Sequence, residues 1–110
     1  MGTYRNAKLE GTGSLTNYQI LYTCPAGTSA MIGSMMIANR GDSTTPADII
    51  RIAFSSGVSP NNENFVAYDV KVPNLDTMTI SAPMSLNANE NILVSSNSTD
   101  VSFHANVFEV

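Results

Sequence analysis

Met31, Ile32, Met35, Met36 and Ile37 fall in one short stretch, separated only by Gly33 and Ser34. This is the longest apolar run of the chain. Apolar residues on both parities predict a strand, Ser29–Ala38, that is covered on both faces and sits in the middle of a sheet. The turn that feeds it, Pro25-Ala26-Gly27, has a mechanism: proline presets φ and glycine accepts a positive one. If Ala30, Ile32 and Met36 point to the core, then Met31, Met35 and Ile37 emerge on the opposite side. Either a loop or another subunit must cover those three; methionine suits adaptable contact surfaces, so another copy of the chain is the expected cover, as an oligomer interface.

The rest of the chain reads as strands around that one. Thr16–Thr23 is β-rich, with Tyr18, Ile20 and Tyr22 on one parity. Ala47–Ser55 alternates, with Ile50, Ile52 and Phe54 opposite Arg51, Ala53 and Ser55. Phe65–Val72 sets Val66, Tyr68, Val70 and Val72 against Ala67, Asp69 and Lys71. Thr77–Ala82 and Asn91–Ser96 are short strands, with Leu86 a plug between them. Val101–Val107 alternates against Ser102, His104 and Asn106. Ser56–Asn64, Pro73–Asp76 and Asn97–Asp100 are rich in turn formers. No stretch carries a helical period. Roughly seven or eight strands with regularly spaced turns predict an all-β chain, a single antiparallel β-sandwich or jelly roll. Residues 15–110 are expected to form it. Residues 1–14 are expected as an N-terminal arm or edge, with a short strand near Ala7–Glu10.

Composition narrows the function classes. Only 13% of the residues are charged, about half the usual share of roughly 25%, and Ser, Thr and Asn take their place. Such a surface suits packing against neighbours, because interface cores are poor in Lys and Glu. The formal net charge is −4, and the basic residues Arg5, Lys8, Arg40, Arg51 and Lys71 are scattered. Sequence-independent nucleic-acid binding needs them clustered, so no nucleic acid is expected as a partner. One cysteine, Cys24, excludes an intramolecular disulfide framework and a cysteine-rich zinc site. No apolar run reaches the roughly 18 residues of a membrane span, so no membrane partner is expected. The opening MGTYRNAKLEGTGSL has no apolar core before a cleavage site, so no export signal is expected.

Catalytic equipment is thin. His104 is the sole histidine and lies on the polar parity of the last strand. A serine-type acyl transfer would need it beside a nucleophile such as Ser102 and an orienting acid. Cys24 ends a strand without the cationic neighbours that activate a thiol. Asn87–Asn91 is mostly amide and reads as capped turns rather than a calcium loop. Arg40-Gly41-Asp42 matches an adhesion triplet but reads more simply as a turn. No catalytic, cofactor-binding or metal-binding residue is therefore expected.

The string YTCPAGTSA, a strand ending IANRG, a RIA strand, NFVAYDVKVPNLDTMTI and the closing VSFHANVFEV together resemble the short virion structural proteins of tailed bacteriophages, notably those of cyanobacterial phages. The likeness covers Leu15–Val110. It implies a non-enzymatic β-sandwich without cofactor, assembled into the virion in the host cytoplasm and oligomeric, with a homotrimer expected. Its partners would be the major capsid protein or other virion proteins. Capsid cement or decoration is the expected role, and a tail, baseplate or fibre-associated module is the alternative. Met1–Ser14 matches nothing in that family. As a partner-contacting arm it would act through Tyr4, Arg5 and Lys8.

Overall fold

The computed structural model describes residues 2–41, 47–81 and 84–110. Nine strands account for most of them: β1 Thr3–Glu10, β2 Ser14–Thr23, β3 Ala30–Asn39, β4 Asp48–Ser55, β5 Phe65–Val72, β6 Thr77–Ile80, β7 Met84–Leu86, β8 Asn91–Ser96 and β9 Val101–Glu109. One 3-10 turn, Asn62–Asn64, precedes β5. The first sheet runs β1-β9-β3-β6, with β7 also paired to β3, and the second runs β2-β8-β4-β5. Every pairing is antiparallel. The chain is an all-β sandwich.

Its core lies between the sheets. Ile32, Met35, Ile37, Phe103 and Val107 of the first sheet meet Ile50, Ile52, Val72, Ile92 and Val94 of the second. Burying a side chain of this size contributes about 1.5–3 kcal/mol, and ordering the chain offsets most of the sum. β4 and β9 follow the simple alternation read from their residues: Ile50 and Ile52, and Val101, Phe103, Ala105 and Val107, are all buried.

Three strands depart from it, each at a bulge. In β3, Ile32 faces Val107 but Ser34 faces Asn106, so Gly33 is an extra residue. A bulge of one residue exchanges the faces beyond it. Met35 and Ile37, expected on the outer face, are therefore in the core at 1% and 0% exposure, and Met36 is turned outward. Of the expected interface trio only Met31 opens to solvent, at 54%. β3 is central but not dry on both faces. That description fits β8, whose six residues are all buried.

In β2, Ile20 pairs with Leu93 and Tyr22 with Ile92, leaving Leu21 as the extra residue. Leu21 is buried and Ile20 exposed as a result. In β5 the register against β4 shifts twice, and Asp69 takes φ 53°. Ala67 is thereby buried while Val66 and Tyr68 are exposed, against the parity expected from sequence, and Val72, beyond the bulge, is buried in keeping with it.

The N-terminal segment is a strand from Thr3 onward. β1 pairs with β9 along its whole length, from Thr3 opposite Glu109 to Glu10 opposite Ser102. Its inward residues Ala7 and Leu9 pack against the core. Cys24 at the turn is fully buried, and Gly27 takes the positive φ, 77°, that the turn requires.

Candidate functional surfaces

Antiparallel pairing sets side chains from different strands side by side on each outer face, because directly opposed residues point the same way. On the first sheet this produces rows. Tyr4, Phe108 and Met31 form one row across β1, β9 and β3. The Tyr4 and Phe108 rings lie 4.6 Å apart between centroids, and Tyr4 is 83% exposed. Together with Ile32 and Gly33, these residues line a cleft of about 340 Å³. The next row is polar: the Asn106 amide donates to Ser34 Oγ at 3.1 Å. Beyond it lies Lys8, His104 and Met36, then Glu10, Ser102 and Ala38.

Those last rows place a serine, a histidine and a carboxylate around one shallow depression of about 490 Å³. The sequence alone shows no acid there; β1 supplies it. The geometry nevertheless offers no activated nucleophile. Ser102 and His104 are two residues apart on one strand, roughly 7 Å at the usual rise. The Ser102 hydroxyl accepts from Arg40 Nε at 3.2 Å instead, and Glu10 lies 3.8 Å from the same guanidinium. His104 Nε2 is buried without a protein partner. Among the described residues, no three His, Cys, Asp or Glu side chains converge as metal ligands would. Arg40 also donates to the Thr99 carbonyl at 2.8 Å, so the arginine of the Arg-Gly-Asp triplet is bound within the molecule; Asp42 lies outside the described residues.

The second sheet carries an aromatic face. Ile20, Leu93, Ala53 and Phe65 align in a row across all four strands. Beside it, Arg51 donates to Asp69 Oδ1 at 2.6 Å and to the Tyr18 hydroxyl at 3.2 Å. Its guanidinium stands 4.3 Å over the Tyr68 ring, a favourable cation–π distance. Phe65 meets Tyr68 edge-on at 4.8 Å. The Asp69 carboxylate, and then the Tyr18 hydroxyl, push the Arg51 pKa further up, so the charge at the middle of this face is fixed. Sequence pattern alone missed this cluster, because it depends on the β5 bulge that turns Tyr68 outward.

At the rim, one buried carboxylate ties the two sheets together. Glu109 on β9 accepts hydrogen bonds from the Tyr22 hydroxyl on β2 and from Arg5 Nε on β1, the latter at 3.3 Å. Those two donors hold the Glu109 carboxyl below the usual range, Tyr22 contributing most. Burial, and then the neighbouring carboxylate, push the Tyr22 phenol up. Arg5 thus serves the fold while remaining 60% exposed along its side chain. Tyr4 and Lys8 point from β1 to the outer face.

Fold and surfaces together define a small two-sheet sandwich whose evident assets are packing faces. No protein-family pattern and no curated protein sequence matches the chain. Solved structures do match. A chain in the acidic-stable capsid of Helicobacter pylori bacteriophage KHP30 superposes with a TM-score of 0.59 at 13% identity, over 98% of this chain and 86% of that one. A chain of the T13 particle of infectious bursal disease virus gives 0.55 at 6% identity, and one of the Gx strain gives 0.55 at 8%. This chain spans 30% and 32% of those two longer chains. At these identities the likeness is one of fold.

Proposed function

We propose that this chain is a non-enzymatic structural protein of a tailed-phage virion, and that it works as a capsid cement or decoration protein. The observation that carries this is the match to the phage capsid chain. It runs over 98% of this chain and 86% of that one, so both sheets take part in the likeness. The two outer faces support it. An apolar row and an aromatic face on opposite sides of a thin body let the protein contact neighbours from both sides. Its extents are 47 × 25 × 19 Å. Cementing needs no chemistry, only buried area laid across a joint that outward pressure would open. The major capsid protein is the expected partner. Kinship with cyanobacterial phages belongs to the same reading and is supported by the sequence strings alone.

Antibody labelling of intact particles, viewed by electron microscopy, tests the role. Label over the whole head is the expected result. Label confined to the tail would replace cement with a tail or baseplate role, and unlabelled particles would remove the virion reading.

A further inference from the structure

An edge strand presents a row of backbone N–H and C=O groups with no partner in its own sheet, and proteins usually disable it by bulges, brevity, proline, lysine, inward charge or a covering loop. The edges of this sandwich differ in that respect. β2 is broken in register at two places. β5 is shifted twice and kinked at Asp69. The far side of β3 is split between β6, of four residues, and β7, of three. Among the described edges β1 alone is long and regular: eight residues in unbroken register with β9, with no proline and no bulge, and one outward lysine, Lys8. Its one inward charge, Arg5, is compensated by Glu109 and so does not repel an incoming strand.

We infer that β1 pairs antiparallel with β1 of a second copy across a two-fold axis, joining the first sheets of two molecules into one. Facing residues in such a pair must lie on the same side of the sheet, so the axis passes beside a residue that opposes itself. Charge selects which one. Lys8 opposite Lys8, or Arg5 opposite Arg5, sets like charges face to face. Ala7 opposite itself leaves the two lysines diagonal. With Asn6 opposite Asn6, Lys8 instead lies over the exposed Tyr4 ring of the second copy, and Ala7 faces Arg5. The two Arg5 side chains are then diagonal, each already held by its own Glu109. This register pairs Thr3 through Leu9 of each strand. It also brings the two Tyr4–Phe108–Met31 rows onto one continuous face. An isologous contact of this kind closes at two copies, whereas the phage-protein resemblance implies three.

Cysteine cross-linking of the full chain reads the register directly; Cys24 is buried and serves as the silent background. Asn6→Cys is expected to form a covalent dimer on mild oxidation. Tyr4→Cys and Lys8→Cys should each stay uncross-linked alone, since like positions are then about 13 Å apart at the usual rise and out of disulfide reach. Mixed together they should cross-link. Unmodified protein should sediment as a dimer. A monomer at several hundred micromolar, or a dimer whose Asn6→Cys form stays uncross-linked, overturns the inference. The inference does not rest on the virion role: a cross-linked dimer with unlabelled particles would keep the pairing and discard that role, and a monomer on labelled heads would do the reverse.

Discussion

Glu109 shows how much one side chain can fix. Its carboxylate reaches both sheets, taking the Tyr22 hydroxyl from one and Arg5 from the other. Because the folded carboxyl binds its proton less readily than the unfolded one, protonation favours the unfolded chain. Its contribution is complete above the unfolded carboxylate pKa of about 4.3 and is lost as pH falls through the lower folded value. Tyr22 acts with the opposite sign. Its folded phenol is raised, so its contribution holds below the unfolded value of about 10 and is lost above it. Denaturant midpoints measured from pH 7 down to pH 2 should therefore fall more steeply for the native chain than for Glu109→Gln, the two curves converging at the acid end. Parallel curves would show that Glu109 carries no linked proton.

At the level of elements, bulges decide which face each residue takes. Met35→Ala should cost about 2–5 kcal/mol, the range for emptying a buried site of that size. Met36→Ala should stay within about 0.5 kcal/mol, as at most exposed positions. The reverse order in chemical denaturation would restore an unbulged β3. Here the limits of the sequence are plain. Ile50, Ile52 and Phe54, and Val101 through Val107, could be read directly because β4 keeps its core parity despite a broken pairing and β9 is unbroken. A bulge adds a residue without any apolar signature, so Leu21 and Asp69 carried no warning and only the isolated Gly33 marked a bulge, and the faces of Met35, Ile37 and Tyr68 came out reversed. β1 was legible only over Ala7–Glu10, because Ala7 and Leu9 are its apolar inward residues and Arg5 faces inward as a charge. The candidate surfaces were hidden for another reason: Tyr4, Met31 and Phe108 meet through pairing alone and lie far apart in the chain.

For the molecule as a whole, the arrangement of the first sheet matters most. β9 lies between β1 and β3, which share no pairing of their own. A chain lacking Gly2–Glu10 should still melt cooperatively, at a lower temperature, since it loses only an edge. A chain ending at Asp100 should show no cooperative transition by calorimetry, because the first sheet then has no middle. The same order has a consequence during synthesis. As the chain leaves the ribosome, β1 through β8 emerge with the first sheet split: β1 has no partner, and Ile32, Met35 and Ile37 lack β9 beside them. Folding must wait for Val101–Glu109. Any holdup in translation before that segment would leave a sticky nascent chain for chaperones to guard, however stable the finished protein is.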